Sequence, residues 1–151
     1  IWKETERGDQ MVLIVCVDDH NGMMFNHRRQ SQDRGLRRRM CEIAGNDDGK
    51  FWMNAYSRKM FTDSDTEGTH AQLCVAEDFM KQAASGDFCL LETEDPADYA
   101  ANLEELILFS WNRDYPADLH FTLDLSGWKQ VETAEFAGSS HEKITETHYI
   151  R

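Results

Sequence analysis

A cluster of arginines is the part of this sequence whose side chains are best suited to binding chemistry. Residues 21–39 read NGMMFNHRRQSQDRGLRRR and contain six arginines. The planar guanidinium group of arginine binds phosphate and carboxylate groups in a bidentate manner. The chain as a whole is acidic, with a net charge of -12 at pH 7. A concentrated positive segment in an acidic protein therefore predicts a binding site for an anion.

Three interpretations of the arginine cluster are open. In the first, Arg28 and Arg29 bind a small anionic molecule in a cleft. In the second, the arginines form a solvated basic face that pairs with the protein's own carboxylates, and each such pair contributes little to stability. In the third, the arginines within residues 28–39 dock RNA or an acidic protein. A nucleic-acid partner is not expected, because the chain is acidic and no aromatic residues are interleaved with these arginines.

The elements that must position these side chains alternate between strands and helices. The helix that carries most of the arginines follows the capping sequence Ser31-Gln32-Asp33. The continuous apolar run MVLIVCV before the cluster is typical of a strand buried on both faces of a parallel sheet. The alternation predicts a parallel sheet with helical crossovers. The strand-like segments occupy residues 11–17, 51–53, 72–76, 88–91 and 105–111.

The last third of the chain has a different pattern. LHFTLDL, VETAEFA and KITETHYIR are strand-like without helices between them, and GSSHE separates the last two. We expect these two to form an antiparallel hairpin at the edge of the sheet. The predicted fold is therefore α/β, doubly wound, with a mainly parallel sheet and a C-terminal antiparallel hairpin. Residues 1–10 lack apolar periodicity and are expected to be a tail or a cloning remnant, and residues 11–151 a single domain.

Five segments resemble, in order, the dihydrofolate reductase family. LIVCVDDHNGM resembles the first strand and following loop of these enzymes, and FWMNAYSRKMF resembles their second strand and the turn after it. ELILFSWNRDYPADLHF resembles a later strand, and GWKQVETAEF and KITETHYIR resemble the terminal hairpin. The resemblance covers roughly residues 11–151. It implies a dihydrofolate reductase-like fold in a strongly diverged member of a family that reduces folates with NADPH.

The resemblance implies roles for three positions on the substrate side. Asn21 matches the loop that covers the nicotinamide. Asp33 is the candidate for the buried carboxylate that holds the pterin, and hence the candidate catalytic residue; the alternative is that Asp33 only caps the helix. Ser110 stands where the family has threonine. With Arg28 and Arg29, Asn21 and Ser110 are the expected ligand-binding residues.

The positions that match the family's cofactor site have changed residue type. Asn54-Ala55 replaces a Gly-Arg pair that approaches the cofactor phosphates, while Ser57 could keep a hydroxyl contact. Glu92-Thr93 replaces a Gly-Gly pair that lets the backbone approach the diphosphate. A carboxylate about 5 Å from a phosphate charge costs about 3 kcal/mol at an effective dielectric near 20. The resemblance therefore implies that Asn54, Ser57, Glu92 and Thr93 no longer bind the cofactor in the ordinary way.

Two function classes follow from these residues. The first is a protein that has lost ordinary NADPH-dependent folate reduction and needs no cofactor. It binds an anionic nucleotide or pterin-like molecule through arginines, in the cleft that holds the pterin in the family. The second is an NADPH-dependent reductase of a pterin or related substrate with an altered cofactor site. The sequence leaves open whether the chain is an enzyme, what the ligand is and whether the chain oligomerises.

The remaining candidates for chemistry are expected to be structural. Asp18-Asp19-His20 lacks the spacing of a metal motif, so no metal is expected. Ser139-Ser140-His141 is interpreted as a loop, since the chain contains no GxSxG sequence. Four scattered cysteines predict free thiols in a cytoplasmic protein. No apolar run approaches the ~20 residues that a membrane-spanning helix requires.

Overall fold

A seven-stranded sheet lies at the centre of the molecule, and a three-stranded sheet lies beside it. The structure is a computed structural model that describes residues 11–46 and 49–151, so the predicted tail at residues 1–10 lies outside the described residues. In chain order the strands are β1 (Val12–Val17), β2 (Gly22–Phe25), β3 (Arg28–Arg29), β4 (Lys50–Met53), β5 (Gln72–Val75), β6 (Phe88–Leu90), β7 (Glu105–Ser110), β8 (Leu119–His120), β9 (Lys129–Phe136) and β10 (Ile144–Ile150).

The helices are short except for the first. They are α1 (Arg34–Gly45), α2 (Ala55–Arg58), α3 (Asp63–Thr66), α4 (Phe79–Gln82) and a 3-10 helix at Pro96–Asn102. In the described part of the chain, no helix is long and apolar enough to cross a membrane.

The order of strands in the large sheet is β5-β4-β6-β1-β7-β10-β9. β1 pairs in parallel with β6 and β7, and β4 pairs in parallel with β5 and β6. β10 is antiparallel to both β7 and β9. The predicted α/β fold, with a mainly parallel sheet and a C-terminal antiparallel hairpin, is confirmed.

The composition of β1 explains its central position. Val12 and Ile14 pack in the core on one side of the sheet, and Leu13 and Val15 pack in the core on the other side. All four side chains have no exposed surface. A strand covered on both faces needs no polar alternation, which is why the sequence reads as a continuous apolar run.

Helix α1 covers one of these faces. Leu36, Met40 and Ile43 lie on its buried side, at helical spacing. Asp33 is its N-cap and accepts a hydrogen bond from the backbone N–H of Leu36 at 3.0 Å. Helix α1 begins close to the end of β1, and its arginines lie at the edge of the cleft at that end of the sheet.

The prediction for the segment after β1 was incomplete, because it contains a hairpin rather than a loop. Phe25 pairs with Arg28, and the two residues between them, Asn26 and His27, have positive φ angles of 51° and 60°. A two-residue turn with both φ angles positive is type I′, which matches the twist of a hairpin. This hairpin brings Arg28 and Arg29 back toward the end of the main sheet.

Two further segments have structures of their own. LHFTLDL is not a strand of the main sheet, because only Leu119–His120 is a strand, and it pairs with β2 in the small sheet. The polar segment TDSDTEGTH contains α3. Asp65 makes this turn possible: its carboxylate accepts a hydrogen bond from the backbone N–H of Thr62, the residue that caps α3.

Candidate functional site

The candidate site is a cleft beyond the carboxyl ends of β1, β4 and β6. Ligands bind at this edge of open α/β sheets, where loops from neighbouring strands converge. Two small cavities lie here, and both are lined by Cys16, Ser31, Glu92 and Trp111. Each cavity has a volume of about 10 Å³, which is room for about one water molecule. The cleft is therefore almost filled by the protein's own side chains.

An ion pair between Arg29 and Glu92 closes the middle of the cleft. Arg29 Nε donates to Glu92 Oε2 at 3.0 Å, and Arg29 Nη2 donates to Glu92 Oε1 at 3.0 Å. Ser57 Oγ donates to the same Oε1 atom at 2.7 Å. The two charged side chains are only 18% and 12% exposed. Three charge-assisted hydrogen bonds thus hold the Glu92 carboxylate in a partly desolvated position.

Tyr56 fixes the position of Arg29. Its hydroxyl group accepts a hydrogen bond from the backbone N–H of Arg29 at 2.8 Å, and the Arg29 guanidinium lies 4.4 Å from the centre of its ring. Burial alone would lower the pKa of Arg29, but the hydrogen bond and charge of Glu92 raise it. The guanidinium group therefore stays charged and stacked.

The structure brings together all four residues expected from the cofactor positions. Asn54 caps α2 by accepting a hydrogen bond from the backbone N–H of Ser57 at 2.9 Å. The Asn54 side-chain amide donates to Thr93 Oγ1 at 3.2 Å. Ser57 has no exposed surface, and its hydroxyl group is bound to Glu92. The polar side chains at this edge therefore form hydrogen bonds with one another.

Asp33 lies at the other end of the cleft and is held by the C-terminal hairpin. Its carboxylate accepts hydrogen bonds from the backbone N–H groups of Ser139 at 2.9 Å and Ser140 at 2.8 Å. His141 Nδ1 lies 2.9 Å from Asp33 Oδ2. Burial alone would raise the pKa of Asp33, but the hydrogen bonds from Ser140, His141, Ser139 and Leu36 lower it well below its usual range. Asp33 is an ionised cap and an orienting group for His141.

The other ring nitrogen of His141 faces two hydroxyl groups. His141 Nε2 lies 3.1 Å from Ser31 Oγ and 3.0 Å from Tyr115 Oη. The ring stacks on Trp111, with 4.6 Å between the ring centres. Because Asp33 is bound at Nδ1, the neutral ring carries its proton there and presents Nε2 as an acceptor.

Arg28 lies on the outside of the β2–β3 hairpin and borders a larger groove. The groove has a volume of about 270 Å³ and is lined by Phe25, Arg28, Tyr115 and Pro116 among others. Phe25 is 49% exposed, and Arg28 is exposed. Within residues 11–46 and 49–151, the side chain of Arg28 makes no hydrogen bond or ion pair.

Asn21 and Ser110 do not line these spaces. Asn21 is exposed in a turn with a φ angle of 63°, and its backbone carbonyl accepts from the N–H of Phe121 at 2.8 Å. Ser110 ends β7, where it pairs with Val17 and Thr145. The next residue, Trp111, is the one that lines the cleft.

Most arginines of α1 are engaged with the protein itself. Arg37 Nε donates to Asp65 at 2.9 Å, and Arg38 donates to the backbone carbonyls of Ser64 and Glu67. Arg39 forms a bidentate pair with Glu146 at 2.7 and 2.9 Å. These contacts match the interpretation in which the arginines pair with the protein's own acceptors, and they leave Arg28 and Arg34 as exposed guanidinium groups.

The cysteine in the cleft is not suited to nucleophilic chemistry. Burial and then the charge of Glu92 raise the pKa of the Cys16 thiol above its usual range, although Arg29 opposes this. All four cysteines are free thiols. Among the described residues, no group of three or more His, Cys, Asp or Glu side chains is placed to hold a metal ion.

Sequence reasoning missed Tyr56, Tyr115 and His141 as residues of the cleft. Tyr56 is adjacent to Ser57, so its place at the cofactor edge could have been inferred from the same turn. His141 is 108 residues from Asp33 in the chain, and no local motif links them. The interpretation of Ser139-Ser140-His141 as a loop was right in backbone terms but did not indicate that the loop reaches the cleft.

Comparison with solved structures identifies a related fold. A dihydrofolate reductase from Enterococcus faecalis, complexed with NADP(H) and RAB-propyl, superimposes with a TM-score of 0.63 at 9% sequence identity. The match covers 94% of this chain and 96% of that one. No protein-family model matches the sequence, and no curated protein matches it. The chain thus has a dihydrofolate reductase-like fold, and its sequence has diverged far from that of this enzyme.

Proposed function

We propose that this chain has lost ordinary NADPH-dependent folate reduction and binds a small anionic molecule, nucleotide-like or pterin-like, in the groove that Arg28 and Arg29 line, with Arg28 as the guanidinium that contacts the anion. The observation that carries the loss of cofactor binding is the Arg29–Glu92–Ser57 contact in the cleft. A carboxylate of the protein itself occupies the donors that a ligand anion would use. A phosphate group that entered the cleft would be repelled by the charge of this carboxylate and hindered by the volume of its side chain.

The groove beside Arg28 supports the binding part of the proposal. Its volume of about 270 Å³ lies just below the range of about 300–1,000 Å³ that is usual for small-molecule sites. Phe25 and Tyr115 offer aromatic surfaces for a flat ring, while the exposed guanidinium of Arg28 can bind a phosphate or carboxylate with two N–H groups. This combination favours a ligand with an aromatic ring and an anionic group.

A titration with nucleotides, folates and inorganic phosphate tests the binding proposal. We expect one of the ring-bearing anions to raise the melting temperature of the wild type, and Arg28→Ala to lower its affinity about tenfold or more, because a charge-assisted hydrogen bond contributes about 1.5–3 kcal/mol. Arg34→Ala is the matched control, since Arg34 is exposed but outside the groove. Equal affinity of all three proteins, or no binding by the wild type, would contradict the proposal.

An NADPH-dependent reductase with an altered cofactor site is the alternative. The likeness to a reductase structure that contains NADP(H) favours it at the level of the fold. Absorbance decay of NADPH in the presence of dihydrofolate and fluorescence change of NADPH on mixing distinguish the two. Saturable binding with turnover supports the reductase, and the absence of both signals supports the ligand-binding protein.

An RNA-docking or acidic-partner function for residues 28–39 is less well supported, because Arg37, Arg38 and Arg39 already have partners. We also propose a cytoplasmic location, because free thiols such as the four cysteines of this chain are usual in a reducing compartment.

A further inference from the structure

We propose that Ser31, His141 and Asp33 form a serine nucleophile site that transfers a short acyl group from an ester to Ser31 and then to water. The proposal is independent of the ligand-binding function above, since it requires neither Arg28 nor the outer groove. It rests on the distances among the three side chains, on their burial and on the space that they border.

The three side chains have the relationship that nucleophilic catalysis requires. Ser31 Oγ lies 3.1 Å from His141 Nε2, and His141 Nδ1 lies 2.9 Å from Asp33 Oδ2. Both separations are hydrogen bonds of ordinary length. The Asp33 side chain has no exposed surface, and that of His141 is 3% exposed. Such an arrangement is recognised by its geometry and not by the order of residues in the chain.

Asp33 has the right electrostatic character for a positioning residue. Its carboxylate accepts hydrogen bonds from the backbone N–H groups of Leu36, Ser139 and Ser140 in addition to His141. These donors hold it ionised and in place, so it fixes His141 with the proton on Nδ1. His141 Nε2 is then an acceptor for the proton of Ser31.

The cavity beside Ser31 indicates the class of substrate. Ser31 borders a space of about 10 Å³ whose wall includes the apolar side chains of Leu36, Met40, Leu90 and Trp111. The space itself holds about one water molecule, so only a short acyl group such as acetyl is compatible with it, and its entry requires these side chains to move apart. Arg37 and Glu92 also line this space. Arg37, which is paired with Asp65, is the positive group available to the negative charge that develops on the ester oxygen.

The reaction balances with water as the second reactant. Ser31 Oγ forms a bond to the ester carbonyl carbon, and its proton passes to His141 Nε2. The bond to the leaving oxygen breaks, and the alcohol departs with the proton from Nε2. Water then attacks the acyl carbon, its proton passes through Nε2 to Ser31 Oγ, and the carboxylic acid leaves.

Tyr115 is the competitor that the structure places at the same nitrogen. Its hydroxyl oxygen lies 3.0 Å from His141 Nε2, so the imidazole is shared between Tyr115 and Ser31. Removal of this hydroxyl group in Tyr115→Phe leaves Nε2 to Ser31 alone. We therefore expect Tyr115→Phe to increase the reactivity of Ser31, which a purely structural hydrogen-bond network would not do.

Methanesulfonyl fluoride and p-nitrophenyl acetate are the probes, and mass spectrometry of the full chain with peptide mapping is the measurement. We expect both probes to modify Ser31, and the rate to fall about 100-fold or more in His141→Gln, because a positioned general base contributes about 10²–10⁴-fold. Asp33→Asn retains a good helix cap and should lower the maximal modification rate while leaving probe affinity unchanged. Exposed Ser85 is the internal control.

The outcomes are decisive even if the variants fold poorly. In the wild type, modification of Ser31 about 100-fold faster than Ser85 supports the site, and equal rates overturn it. Sulfonylation of Ser31 without acetyl transfer from p-nitrophenyl acetate, either to Ser31 or to water, overturns the acyl-transfer proposal. Unchanged Ser31 modification in a folded His141→Gln protein also overturns it.

Discussion

Arg29 and Glu92 lie on opposite sides of the cleft and form a bidentate ion pair, with both N–H···O distances at 3.0 Å. Arg29 comes from the hairpin after β1, and Glu92 follows β6. The pair therefore connects a peripheral hairpin to the centre of the main sheet. Each of these two charged groups could bind a ligand, but in this position each uses its hydrogen-bonding groups on the other.

Substitution of Glu92 should destabilise the protein. Glu92→Ala leaves the Arg29 guanidinium and the buried Ser57 hydroxyl without their acceptor. Breaking a fully buried pair costs about 3–5 kcal/mol; because these side chains retain some exposure, we expect the free energy of unfolding to fall by about 2 kcal/mol. Urea denaturation measures this. Glu135→Ala, in an ion pair whose side chains are 57% and 55% exposed, should change stability by less than about 0.5 kcal/mol, and a similar loss in both variants would contradict the argument.

Removal of the same carboxylate should create a site for an added anion. In Glu92→Gly, Arg29 and Ser57 offer their donors to a phosphate instead. We expect inorganic pyrophosphate to raise the melting temperature of this variant by several degrees while the wild type responds little, since a ligand that binds only the folded state stabilises it. A double variant with Arg29→Ala should lose the response. Equal responses of wild type and Glu92→Gly would show that the carboxylate does not occupy an anion site.

The sequence predicted the main sheet well because each signal was local. The continuous apolar run of β1 indicated a central strand, and the uninterrupted C-terminal strands indicated the β9–β10 hairpin. The β2–β3 hairpin was missed because its strands have only four and two residues, too few to show alternation. Asn26 at the turn was the available signal, since asparagine tolerates positive φ angles.

The cleft was predicted less completely because its contacts are long-range. The sequence indicated both Arg29 and Glu92 but assigned them opposite roles. Arg29 was expected to bind a ligand anion, and Glu92 was expected to repel the cofactor phosphates. They are 63 residues apart, so no spacing rule could pair them. Asp33 was weighed as a cap or as a catalytic carboxylate. The structure shows the cap, together with a contact to His141 that only the folded hairpin creates.

The ionisation of Glu146, which contacts His148 and Arg39, should make stability depend on pH. Burial alone would raise the pKa of Glu146, but hydrogen bonds from His148 and Arg39 and the charge of Arg39 lower it from 4.5 to about 2. A lowered pKa in the folded state stabilises the protein above about pH 4.5, and this contribution is lost as the pH falls toward 2. A shift of this size corresponds to about 3 kcal/mol, since each pKa unit is about 1.4 kcal/mol. Solvent screening reduces this little, because the Glu146 side chain is only 3% exposed.

Urea denaturation of wild type and Glu146→Gln at pH 7, 5, 4 and 3 tests this dependence. We expect the wild type to be more stable at pH 7 and the difference between the two proteins to shrink steadily below about pH 4.5. Glu135→Gln, in an exposed pair, should run parallel to the wild type over the same range. A difference that is independent of pH would indicate a packing effect of the substitution and not the ionisation of Glu146.

Gly45 at the end of α1 provides a test of packing against helix propensity. Alanine is favoured over glycine in a helix by about 1 kcal/mol, so propensity alone predicts that Gly45→Ala stabilises the protein. A Cβ atom at this position would overlap the backbone carbonyl oxygen of Thr69, which a side-chain rotation cannot relieve. We expect a loss of about 1–3 kcal/mol, the usual cost of overpacking. Gly127→Ala meets no atom within 4 Å and should be nearly neutral. Stabilisation by Gly45→Ala in urea denaturation would mean that α1 can move away from the segment after α3, and with it the arginines that border the cleft.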